Sequence, residues 1–316
     1  MSAPTVRAAA RADGLAHAGG IALAGGMAAA LEEIRELRTH QPERIAEVLA
    51  ARPRSAFPTD PNARLMIIAA DHPARGSLAA GPEPLAMADR RDLLQRCAAA
   101  LARPGVHGFL GTAEIVEELA LLGALDGKLV YGSMNRGGLA GADFELDDRF
   151  TGYDAAGITA SGLDGGKMLL RIDYRDPASV VTMESAARAV DALADAGVMA
   201  MVEPFISTRV DGRVRNDLSV EAVIRSVTIA AGLGRTSART WLKLPSVPEM
   251  ERVMAATSLP ALILGGEVDP DADAAAEAWA RAVRVPGVKG LIIGRSLLYP
   301  PDDDVEAAVD RAVSVL

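Results

Sequence analysis

Lys243 lies in the stretch RTWLKLPSVPEM (239–250), with Trp241 and Leu242 before it and Leu244 and Pro245 after it. An apolar run ending at a proline predicts a short buried strand, and a buried ammonium is costly unless it is paired or has lost its proton. A neutral lysine amine attacks a ketone or aldehyde to give an imine, and the iminium then draws in the electrons of a breaking C–C bond. A lysine paired with an inward carboxylate, or one holding a phosphate as a point charge, suits the same placement. The chain has four lysines, at 128, 167, 243 and 289, against 29 arginines. Lysine retained in so arginine-rich a chain suggests work that arginine cannot do, since arginine neither forms an imine nor gives up its proton near neutral pH.

Other residues suit the same chemistry. Glu203, in MVEPF, is expected at a strand end with Pro204 stopping the strand. There it can serve as acid/base, or else cap a following helix. Lys167, in GGKMLLRIDY, would favour the neutral amine at Lys243 if it points inward; pointing outward, it is a surface residue. Asp71 opens DHPARGSL and can orient a sugar hydroxyl or hold a lysine, with His72 and Arg75 as loop-shaping or substrate-facing neighbours. Gly265 and Gly266 in LILGGE, and Gly294 and Arg295 in LIIGRS, let backbone amides approach an anion, or simply make tight turns. The histidines at 17, 40, 72 and 107 are scattered, and Cys97 is the only cysteine. No metal site, cofactor or intrachain disulfide is therefore expected.

These residues need a frame. Apolar runs at 65–71, 105–112, 128–134, 167–174, 197–205, 240–246, 260–267 and 288–296 alternate with amphipathic helical segments at 89–102, 113–123, 179–196, 219–232, 247–257 and 272–284. Eight buried strands separated by helices predict an α/β fold, the (β/α)8 TIM barrel. Residues 61–316 would form the barrel, preceded over 1–60 by an N-terminal helical extension and linker, helical from about Ala28 to Ala51. Segment 135–166 would be a long connection after the third strand. Active sites of such barrels lie at the C-terminal strand ends. Asp71, Asn135, Arg136, Asp173, Glu203, Lys243 and the two glycine turns all fall there, while Lys128 and Lys289 fall at the opposite rim.

A net charge of −9 without a basic cluster argues against a nucleic-acid partner. No continuous apolar run of about 20 residues suggests a membrane span, and no leader layout is evident. The expectation is a cytoplasmic enzyme acting on a small molecule, as a homo-oligomer.

The ordered set IIAADHPARGSL, GGKMLL, VEPF, WLKLP, LILGGE and GLIIGRS resembles class I (Schiff-base) aldolases over about residues 60–300. The nearest groups are the tagatose-bisphosphate, sulfofructose-phosphate and archaeal-type fructose-bisphosphate aldolases, with deoxyribose-phosphate aldolase more distant. The resemblance implies Lys243 as the imine lysine, Glu203 as acid/base, Lys167 as a second active-site lysine and Asp71 as a substrate-orienting acid. It places a sugar phosphate at Gly265, Gly266, Gly294 and Arg295. ADHPARG and GGE depart from the tagatose-type pattern, which bears on the sugar more than on the imine. The chain also resembles an actinobacterial barrel group found with myo-inositol breakdown. That likeness implies 2-deoxy-5-keto-gluconate 6-phosphate as substrate, cleaved to dihydroxyacetone phosphate and malonate semialdehyde. A non-catalytic phosphosugar-binding barrel, or an isomerase with Glu203 as carbon base, stands as the alternative.

Overall fold

Eight short aliphatic strands pair in parallel and close on themselves. They are β1 (Leu65–Ala69), β2 (Gly108–Gly111), β3 (Leu129–Ser133), β4 (Gly165–Ile172), β5 (Met199–Val210), β7 (Thr240–Pro245), β8 (Ala261–Leu264) and β9 (Val288–Ile293). A ninth strand, β6 (Arg213–Asn216), pairs antiparallel with the end of β5. The ring runs β1-β2-β3-β4-β5-β7-β8-β9 and returns to β1. This is the expected (β/α)8 barrel, in a computed structural model that describes residues 20–316. His17 and the first part of the expected extension lie outside the described residues.

Because side chains alternate along a strand, one parity faces the barrel interior. Leu65, Ile67, Leu110, Leu129, Tyr131, Met199, Met201, Leu262 and Ile292 form one apolar cluster inside the ring. The opposite parity, including Met66, Ile68, Val130, Val202, Leu242 and Leu244, joins the larger core beneath the helices. Strands apolar on both faces are what a parallel sheet covered by helices requires. Several helices start where the sequence supplies a side-chain cap: Asp89, Asp154, Ser219, Asp271 and Asp304 each accept a first-turn amide.

The N-terminal helical stretch is two helices, Gly26–His40 and Glu43–Ala51, separated at Gln41 and Pro42. Proline lacks the amide that would continue the first helix and instead sets the start of the second. Ala30, Leu31, Ile34 and Leu49 join the outer core. Arg52 is buried, donating to the carbonyls of Leu125, Lys128 and Gly162. Phe57 stacks edge-on against Trp241 at a centroid distance of 5.4 Å, at the N-terminal end of β7. Lys128 and Lys289 donate to the carbonyls of Val106 and Pro61 on that same rim.

Pro204 does not stop its strand as expected. β5 continues to Val210 and turns through Asp211 (φ 49°) and Gly212 (φ 76°) into β6. β7 pairs with β5 only up to Val202, so the edge beside Pro204 is open there and a missing amide is tolerated.

Gly290 sits on the seam between β9 and β1, paired with Leu65, at φ +136°. A Cβ there would collide with the Leu65 backbone. Gly290→Ala is expected to lower stability by about 3 kcal/mol or more. Urea unfolding followed by circular dichroism measures it; a loss under roughly 1 kcal/mol would mean that the seam yields.

Candidate active site

The inward parity that fills the barrel with apolar side chains continues upward into polar ones. Above Leu65, Ile67 and Ala69 comes Asp71; above Leu129 and Tyr131 comes Ser133; above Met199 and Met201 comes Glu203; above Trp241 comes Lys243. Lys167 is only the third residue of β4, yet it pairs with Ser133, the last residue of β3. The stagger that closes a barrel thus lifts Lys167 to the level of the other strand ends. Its inward orientation, left open by the sequence, is settled by these contacts.

Lys167 is the hub. Its Nζ donates to Asp71 Oδ2 at 3.0 Å and also contacts Glu203 Oε2. Lys243 Nζ lies 3.2 Å from the other oxygen of the same carboxylate, Glu203 Oε1. Asp71 Oδ2 further accepts from Ser133 Oγ at 3.0 Å and faces Arg136 Nη1 at 3.2 Å. Asp71, Lys167, Glu203 and Lys243 are all buried.

Charges this close and this dry set one another's protonation. Burial by itself pushes both carboxyls up. For Asp71 the Lys167, Arg136 and Lys243 cations outweigh it and hold the group well below the usual range. For Glu203 the two lysines do the same, to about 2. Lys167 is lowered to about 8, first by burial and then by Arg136, against the opposing pull of Asp71 and Glu203. His72 Nδ1 lies 3.7 Å from Asp71 Oδ1. Burial, with Arg295 and Lys243 nearby, lowers its basicity despite Asp71, which favours the neutral imidazole.

The turns after β8 and β9 lie side by side. A Cβ on Gly265 would strike Ile293 of the next strand, and a Cβ on Gly294 would strike the Ala69 carbonyl. Gly266 adopts φ +73°, the left-handed region that glycine tolerates. Ser296 Oγ donates to the Glu267 carbonyl, tying the two turns together. Among the described residues, the amides of Gly266, Arg295 and Ser296 donate to no protein acceptor. Arg295 Nη1 reaches the Ala79 carbonyl at 3.4 Å, while its Nε is buried without a partner among those residues.

Arg75 is occupied elsewhere. Its guanidinium donates to the Gly138 carbonyl and to Glu145, which also receives Arg171, so it holds the long connection after β3 over the mouth. Asn135 belongs to the same scaffold: its amide brackets the Leu169 backbone, donating to the carbonyl and accepting the N–H. Asp173 accepts the Arg175 amide in the turn after β4. Of Asp71's other partners, Ser133 is the residue that motif reading missed, and Arg136 is one that it places at the rim without a role. Ser133 shares the inward parity of Tyr131, which is a usable signal. Arg136 lies beyond the strand, where alternation no longer says which way a side chain turns. Among the described residues no group of His, Cys, Asp and Glu is arranged to hold a metal ion, and no helix is long and apolar enough to cross a membrane.

A family model described as Cgl0159-like matches residues 63–313. The crystal structure of Cgl0159 from Corynebacterium glutamicum superposes with a TM-score of 0.88 at 51% identity, over 91% of this chain and 96% of that one. A Schiff base-forming fructose-1,6-bisphosphate aldolase superposes with a TM-score of 0.58 at 16% identity, over 86% and 99% of the respective chains. An archaeal fructose-1,6-bisphosphate aldolase, with its catalytic Lys covalently bound to the carbinolamine intermediate of the substrate, gives 0.57 at 15% identity over 86% and 97%. At these lower identities the likeness is one of fold. No curated protein matches the sequence.

The depressed carboxyl of Glu203 makes stability depend on pH with a definite sign. Its folded value of about 2 lies below the ordinary 4.5. Its contribution is therefore full above 4.5 and is lost as pH falls toward 2. Asp71 acts in the same direction. Urea titrations through this window are expected to show stability falling with acid, with a shallower fall in Glu203→Gln. Equal slopes would show that Glu203 is not held as an anion by its lysines.

Proposed function

The chain belongs to the Cgl0159-like family, and on that premise we propose that it is a class I aldolase. It would cleave a phosphorylated keto-sugar or keto-sugar acid through an imine on Lys243, without a metal ion. The observation that carries this reading is the buried contact of Lys243 with Glu203, itself shared with Lys167, at the C-terminal mouth of the barrel. The resemblance of the motifs to Schiff-base aldolases, and a fold shared with such enzymes, support it.

In this reading the neutral Lys243 amine adds to the substrate ketone, giving a carbinolamine. Loss of water, with a proton supplied to the departing hydroxyl, leaves an iminium. Glu203, held as a carboxylate by its two lysines, then takes the proton of the hydroxyl on the far carbon of the scissile bond. The C–C electrons pass into the iminium, an aldehyde departs, and an enamine remains on Lys243. Protonation of the enamine carbon and hydrolysis release the ketone product and free the amine. Lys167 and Asp71 fix the Glu203 carboxylate and orient substrate hydroxyls. The phosphate is assigned to the turns after β8 and β9, where free amides and Arg295 converge. Holding the substrate at both ends lowers the barrier by fixing the reacting carbons. Among keto-sugar acids, 2-deoxy-5-keto-gluconate 6-phosphate is the first to assay, on the sequence resemblance alone.

Borohydride reduction in the presence of dihydroxyacetone phosphate is expected to leave one stable adduct, on Lys243, read by intact mass and peptide mapping. Lys243→Arg should give none. Glu203→Gln should lower kcat by about 10²–10⁴-fold. Phosphate-ester binding without any adduct on Lys243 would overturn the imine and favour a binding barrel or an isomerase.

A further inference from the structure

Arg136 has no part in the chemistry above, yet its guanidinium shares one carboxylate oxygen with Lys167: Arg136 Nη1 stands 3.2 Å and Lys167 Nζ 3.0 Å from Asp71 Oδ2. Both side chains are buried. Arg136 is held in place by its Nε, which donates to the Asn135 carbonyl, and by a further contact from Nη1 to the Asp71 carbonyl at 3.4 Å.

The charges around Lys167 can be taken strand by strand. β1 leads to Asp71 and the neighbouring imidazole of His72; the segment after β3 brings Arg136; β5 brings Glu203; and β7 brings Lys243. Two carboxylates therefore meet three cations, all of them buried. On its far side Arg136 faces the loop group of Arg75, Arg171, Glu145 and Asp148, two cations and two acids that balance each other when all are charged. The surplus positive charge thus sits at the lysines. It is relieved by loss of a single proton, which arginine does not give up. Without Arg136 the two lysines and two carboxylates would balance, and of the two leading causes that drive a proton off Lys167 only burial would remain.

We propose that Arg136 is a positioning residue whose fixed charge, placed on Asp71 beside Lys167, forces the lysine pair to carry one neutral amine near neutral pH. The reading explains why an arginine stands here: a titratable cation could relieve the surplus by losing its own proton. The inference rests on the aldolase reading only for its purpose, since an imine needs a neutral amine. The low value of Lys167, about 8, set first by burial and then by Arg136, agrees.

The small lysine count makes the test direct. With Lys128→Arg and Lys289→Arg, protein labelled with [ε-13C]lysine reports only Lys167 and Lys243. In this background one lysine of the pair is expected to titrate with a midpoint near 8, as the Lys167 environment indicates. Arg136→Gln should raise that midpoint by about one unit or more, a tenfold loss of neutral amine at a given pH. Borohydride trapping in Arg136→Gln should slow about tenfold near neutrality and recover as pH rises. An unchanged midpoint in folded Arg136→Gln overturns the proposal. So does a wild-type pair that stays fully charged to about pH 10, near the ordinary lysine value, which decides the matter even if the variant does not fold. Absence of any adduct in the wild type would count against the aldolase reading while leaving the titration to decide the role of Arg136.

Discussion

The site depends on a lysine held between two carboxylates. Lys167 contacts both Asp71 and Glu203, and it is the leading charge that holds each acid ionised at this depth. A buried ion cluster of this kind is justified by what it does rather than by stability, because well-packed apolar residues would serve the core at least as well. Its geometry is set by strands: Asp71 and Lys243 come from strands far apart in sequence that the closed barrel turns toward one interior.

The rest of the molecule keeps that cluster dry and still. Below it, Tyr131, Met201, Leu262 and Ile292 plug the interior, so no water reaches the ion pairs from the N-terminal rim. Above it, the segment after β3 is tied down by Asn135 on Leu169 and by Arg75 and Arg171 on Glu145. These bonds also complete a boundary of low polarisability, in which each charge acts on its neighbours far more strongly than it would in water. The glycine turns after β8 and β9 stand apart from this network, with their amides open. One part of the mouth thus holds a preset array of charges, and another offers donors to an anion.

Membership of the Cgl0159-like family and a barrel shared with fructose-bisphosphate aldolases give the fold a context, but barrels of this shape host many chemistries. The functional reading therefore stands on side chains. A neutral lysine beside a fixed carboxylate is competent for imine chemistry, and an arginine in place of either lysine would not be. The carboxylates that stabilise the ammonium forms also oppose nucleophilicity, and Arg136 supplies the counterweight. Activity in such a site comes from a balance of buried charges more than from any single residue.

Much of this was written in the sequence. The run of eight apolar strands, the presence of a lysine inside one of them, the acids at strand ends and the two adjacent glycine turns all follow from residue type and period, because alternation and helix spacing are local properties. Pro204 misled for the same reason: a proline rule based on the chain alone cannot know that the neighbouring strand has already ended. The height of Lys167 was out of reach as well. Three residues into its own strand, it stands level with the last residue of β3 only because the closed barrel staggers its strands. Arg136 turns inward from a loop, where no period constrains it. Sequence alone determined which chemical groups this chain has and which strands carry them. Tertiary structure decided which of those groups share an oxygen atom, because register, stagger and loop closure are properties of the whole ring.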